Sequence, residues 1–147
     1  MAATYSSFMT TRFYSPVFNT ALFDGPFRIY FSQSYESSAL KIYHLLQTEY
    51  QDLWISVKEW SLKNKEHVFL LIYPDRKSAE MIFDQQSENK LSATLFMQDW
   101  EEGLALGLVQ PEKDSDLNEQ LLFIQKNLTA WLQEQNLLNS PHVELEV

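Results

Sequence analysis

Along this chain the spacing of apolar residues switches between two and about three and a half, and each switch marks an element. Val17 to Phe23 and Phe27 to Phe31 are rich in β-forming residues and flank Asp24-Gly25-Pro26. A three-residue connection containing glycine between two such runs predicts a β-hairpin. After the candidate caps Ser32 and Ser34, the residues Tyr35, Ala39, Ile42, Tyr43, Leu46 and Tyr50 recur at steps of mostly three or four. This spacing predicts a helix over 35 to 51 with one apolar face.

The next stretch fits two periods. Leu53, Ile55 and Val57 alternate with Trp54, Ser56 and Lys58, as in a strand, whereas Leu53, Trp54, Val57 and Trp60 continue a helical stripe. We favour the strand, because the segments that follow read as an antiparallel meander. These are His67 to Tyr73, a Pro74-Asp75 turn, Ser78 to Asp84, a polar connection over Gln85 to Asn89, Leu91 to Gln98, a turn at Trp100 to Gly103, and Leu104 to Val109. Within it, Ala79, Glu80 and Met81 favour helix, so Ser78 to Gln86 stays open between strand and helix. Asp116, with Glu119 three residues on, resembles a capping box. It opens a helix whose seam is Leu117, Leu121, Ile124, Leu128 and Trp131, widened by Leu132. Four-three-four-three spacing suits a core-facing stripe, and two heptads are too few for a coiled coil.

The expected fold is therefore α+β: an N-terminal β-hairpin, an amphipathic helix, an antiparallel meander, and a C-terminal amphipathic helix packed on the sheet. With 147 residues and 45% hydrophobic composition, one domain spanning 1 to 147 is expected. Residues 1 to 15 would form an aromatic-rich arm and 140 to 147 a tail.

Charge narrows the partners. Eleven basic against twenty acidic residues give a net charge of −9, which repels a phosphate backbone and an anionic membrane surface. Nucleic acid and membrane are not expected as partners. The acidity is concentrated late in the chain, since residues 99 to 119 hold seven acids against Lys113. The absence of cysteine removes disulfides, thiolate nucleophiles and Cys-ligated metals.

The longest apolar run, Val68 to Tyr73, is far shorter than the roughly 18 residues a bilayer span needs. Met1 to Ser15 lacks the apolar core of a secretory signal, so a cytoplasmic location is expected. Met1 to Phe23 nevertheless shares the acid-free, Ser/Thr-rich composition of transit peptides, which keeps a targeting role open.

Candidate chemistry is sparse. His44, His67 and His142 lack a second ligand at usable spacing, Gln47 and Thr48 being poor ligands beside His44. Asp114, Asp116 and Asn118 match the first three positions of a calcium loop, but Glu119 stands where glycine is required and Gln125 where a bidentate carboxylate is required. Asp99, Glu101 and Glu102 lie in a predicted turn, where a hairpin tip is normally solvated and nothing near them in sequence would set one apart as acid and another as base. The three glycines form no phosphate cradle or dinucleotide fingerprint. Asn127-Leu128-Thr129 is a glycosylation sequon by letters alone, since it falls mid-helix. No catalytic residue, metal or cofactor is assigned.

Aromatic residues point instead to contact surfaces. Nine of the 21 aromatics fall in the first 31 residues, and Tyr5, Phe8, Phe13 and Tyr14 precede the first strand as an acid-free arm of the kind that docks onto partners. On a strand with Leu53, Ile55 and Val57 inward, Trp54 and Trp60 would share an outward face.

The function expected is a non-enzymatic, self-associating protein-interaction or assembly module. One alternative is an acidic export or assembly chaperone that adds a partner segment to a sheet edge. Another is a small enzyme or ligand-binding domain whose site assembles only in the fold, for example from Tyr43, His44, Asp75 and Arg76.

Overall fold

The computed structural model describes residues 18–23, 25–83, 95–100 and 103–138. The chain is α+β, with four α-helices and a five-stranded mixed sheet among the described residues. In chain order the elements are β1 (Thr20–Leu22), β2 (Phe27–Phe31), α1 (Glu36–Thr48), α2 (Gln51–Asn64), β3 (His67–Tyr73), α3 (Arg76–Phe83), β4 (Leu95–Trp100), β5 (Gly103–Val109) and α4 (Asp114–Leu138).

The strands lie in the order β1-β2-β3-β5-β4. The expected N-terminal hairpin is present, Thr20 pairing with Phe31 and Leu22 with Ile29 in antiparallel register. The expected meander is not: β2 and β3 run parallel, as do β3 and β5, and of the strands expected in it only β4 and β5 pair antiparallel. Parallel neighbours cannot be joined by a tight turn and need a crossover. Helices α1 and α2 supply the crossover from β2 to β3, while α3 and β4 intervene between β3 and β5.

That requirement settles both segments the sequence left open. Residues 51–64 are helical, correcting the favoured strand: Leu53, Val57, Trp60 and Ser61 are buried at helical spacing, while Ile55 is 45% exposed. Residues 76–83 are also helical. The Asp75 carboxylate accepts a hydrogen bond from the Ser78 amide at 2.8 Å, capping α3, and Arg76 pairs with Glu80 one turn later at 2.6 Å. Ala79 and Phe83 then face the sheet, and Met81 faces away.

Both faces of the sheet are covered, which is why Val68 to Tyr73 reads as a continuous apolar run. On one face Ile29, Leu70 and Leu106 pack beneath Ile42 of α1, Val57 of α2 and Leu121 and Leu128 of α4. On the other, Tyr30, Leu71, Tyr73 and Phe96 pack with Phe18, Ala79 and Phe83. Gly107 leaves room there for the Phe83 ring, which an added Cβ would meet at 2.5 Å.

Helix α4 buries the seam read from the sequence, from Leu117 through Leu132. It begins at Asp114, two residues before the expected cap, because the Lys113 carbonyl already accepts from the amides of Asp116 and Leu117. Gln120, buried on the same helix, donates to the Val109 carbonyl at 2.8 Å and ties α4 to the end of β5. No helix among the described residues is long and apolar enough to cross a membrane.

Candidate functional site

Helices α1 and α2 lie side by side over the sheet, and where they meet the β1–β2 connection a hollow of about 410 Å³ opens. Tyr43 and Gln47 of α1 form one wall, Trp54, Lys58 and Leu62 of α2 another, and Gly25, Pro26 and His67 close the end. Trp54 is the centre of this construction. Its indole lies 5.6 Å from the Phe27 ring and 5.3 Å from Tyr43, the latter edge-on at 80°. Gly25, at φ +104°, lets the turn approach so closely that a Cβ there would come within 2.6 Å of the indole. Half-buried Trp54 therefore has a fixed position, with Leu62 (72% exposed) beside it on the same helix.

The hollow is edged by hydrogen-bond donors. His67 opens β3, and an Arg28 guanidinium nitrogen sits 3.0 Å from its Nε2. Arginine can only donate, so Nε2 is the acceptor and the proton of neutral His67 rides on Nδ1. Burial, followed by the Arg28 charge, lowers the His67 pKa, which favours the neutral imidazole. Arg28 also lies over the Phe23 ring at 4.7 Å, a cation–π contact. The Ser61 hydroxyl donates to the Glu66 carbonyl at 2.6 Å. Burial and then the neighbouring Asp99 charge push the Glu66 carboxyl upward, while Asp99 accepts from the Trp131 indole at 2.5 Å.

The opposite flank of α2 faces α4 across a second groove, of about 550 Å³. Its walls include Asp52, Glu59, Lys63, Gln125 and Gln133, with Trp60 at its base. Trp60 is only 5% exposed and meets Trp131 edge-on at 4.8 Å. Its indole Nε1 is buried without a hydrogen-bond acceptor among the described residues.

The residues expected to make contacts are thus distributed differently. Trp54 and Trp60 do not share an outward face. Six residues apart on a helix, they point about 120° away from each other, Trp54 into the first hollow and Trp60 into the core beneath α4. Tyr5, Phe8, Phe13 and Tyr14 lie outside the described residues. Tyr43, His44, Asp75 and Arg76 do not converge: Tyr43 lines the Trp54 hollow, His44 is exposed on α1, Asp75 caps α3 and Arg76 pairs with Glu80.

Asp114 is held by Lys41 at 2.8 Å, which lowers its pKa, and no group of three metal-ligating side chains occurs among the described residues. What the sequence did not reveal is the Arg28–His67 pair. Its members are 39 residues apart on β2 and β3 and meet only through parallel register. Comparison of the chain with protein-family models, with curated proteins and with solved structures finds no match.

Proposed function

We propose that this domain is a non-enzymatic protein-contact module and that the α2 surface around Trp54 is where it touches another chain. The observation that carries this reading is the exposure of Ile55 and Leu62 next to a hollow walled by Trp54 and Tyr43. Two exposed aliphatic residues seven apart lie on one helix face, and beside a fixed tryptophan they offer the apolar anchor on which protein interfaces depend. A folded chain keeps Trp54 in place before contact, so little side-chain entropy is lost on binding.

The titratable groups support the same reading. His67 is the one imidazole lining the hollow among the described residues, and its Nε2 is already occupied by Arg28, so it is not available there as a base. Self-association is one form the contact can take. Two copies at −9 repel at long range, so it would rely on apolar burial.

A photo-crosslinking residue placed at Leu62 tests this, with the same residue at exposed Lys126 on α4 as control. Irradiation in cells should give a discrete adduct from position 62 and not from 126. An adduct of twice the chain mass would identify a second copy as partner. Absence of an adduct at 62, or equal adducts at both positions, would overturn the assignment.

A further inference from the structure

The Trp54 hollow differs in charge from the molecule that carries it. Helix α2 has two acids, Asp52 and Glu59, and both line the groove toward α4. Lys58 lines the Trp54 hollow instead, together with His67, behind which lies Arg28. Among the described residues no carboxylate lines this hollow, in a chain whose net charge is −9. The donors include the Lys58 ammonium, the Gln47 amide and, with Nε2 taken by Arg28, the imidazole of His67 through Nδ1, while the Ser61 hydroxyl that also lines the hollow is given to the Glu66 carbonyl. Aromatic walls and, among the described residues, a single charged group, the Lys58 ammonium, together define the complement.

We propose that the Trp54 hollow receives an acidic peptide segment of a partner protein, one that places an aromatic side chain against Trp54 and Tyr43 and carboxylates beside Lys58. This rests on the reading of the same face as a protein-contact surface, and adds the chemistry of what binds there. The hollow has the volume of a small-ligand pocket, room for an aromatic side chain with its neighbouring backbone, and its Trp54 and Tyr43 walls make the aromatic the anchor. The charge selects: a basic segment would meet the Lys58 ammonium with like charge, whereas an acidic one is attracted locally although the whole molecule repels it at distance. Raising the ionic strength screens both effects, and the short-range attraction at a partly enclosed site is screened less.

The test uses the full ¹⁵N-labelled chain and follows the Trp54 indole N–H signal, assigned with Trp54→Phe. The probe is an acetylated, amidated peptide of sequence Asp-Asp-Phe-Asp-Asp, with Lys-Lys-Phe-Lys-Lys and Asp-Asp-Ala-Asp-Asp as controls. The acidic phenylalanine peptide should shift the Trp54 signal saturably, and both controls should bind at least about fivefold more weakly. Lys58→Glu, a change at an exposed position, should weaken the acidic peptide by about threefold to fivefold and leave the rest of the spectrum in place.

Equal binding of the basic peptide, or an unchanged affinity in Lys58→Glu, would overturn the acidic chemistry. A concentration-dependent shift of the Trp54 signal without peptide would show a second copy as the occupant and overturn it too. If no peptide moves the signal while Leu62 still crosslinks, this inference fails and the contact surface stands; if neither occurs, both fail.

Discussion

Two residues show how single positions hold the site in place. Gly25 and Gly103 both have positive φ, +104° and +140°, and both are closely overlaid, Gly25 by the Trp54 indole and Gly103 by the His67 carbonyl. Either glycine changed to alanine pays the backbone strain, about 1 to 3 kcal/mol. Gly103→Ala should be the worse, because a backbone carbonyl in a paired strand cannot swing aside as a side chain can. Denaturant midpoints of the two variants check the order.

His67 gives a second residue-scale expectation. Its folded pKa lies below the ordinary 6.5, so as pH falls past 6.5 the unfolded chain takes up a proton that the folded chain resists. Stability should therefore decline from about pH 6.5 downward and be unaffected by this group above it. Glu66, whose pKa is raised, acts in the opposite sense, since its protonation favours the folded state as pH falls. In His67→Gln the decline near pH 6 should flatten, and an unchanged slope measured by urea denaturation would remove His67 from the account.

Among the elements, α4 was the most legible. Its apolar seam is long enough that one period fits and the other does not, and the buried positions Leu121, Ile124, Leu128 and Trp131 are those the spacing named. Leu121→Ala and Leu128→Ala should each cost about 2 to 5 kcal/mol. Leu122→Ala, on the exposed side of the same helix, should cost under about 0.5 kcal/mol, and comparable losses at 121 and 122 would contradict the packing.

Helix α2 was legible only as an ambiguity. Leu53, Ile55 and Val57 satisfy a period of two as well as Leu53, Val57 and Trp60 satisfy one of three and a half, and the preceding helix with its own tyrosines masked the boundary. The break falls at Glu49 and Tyr50, where the Tyr50 amide still bonds back to the Leu45 carbonyl while its carbonyl starts α2 by accepting from Trp54. Helix α3 was hidden for a similar reason. It has eight residues, and the Asp75 cap, the Arg76–Glu80 pair and the Ala79/Phe83 spacing are the short-range features that distinguish it from a strand.

At the scale of the whole molecule, an excess of nine negative charges opposes compaction. Adding sodium chloride to about 0.3 M shortens the screening length to a few ångströms and should raise the thermal midpoint. The increase should be smaller in a variant with Glu119 and Glu134, both exposed on α4, changed to Gln. A midpoint that falls with salt would mean that favourable ion pairs such as Lys41–Asp114 outweigh the repulsion.

The sequence by itself determined the α+β class, the N-terminal hairpin, the first and last helices and most of the buried residues on them, because each depends on local period and composition. Only the tertiary structure decided that the sheet is mixed, that 51–64 and 76–83 are helices, and that Trp54 and Trp60 part company. Strand pairing is a choice among segments distant in the chain, and the choice of β3 beside both β2 and β5 imposes crossovers that no local window contains. The hollow follows from that choice, since Gly25, Tyr43, Trp54 and His67 come from four separate segments and acquire a common chemistry only when the sheet and its crossover helices close around them.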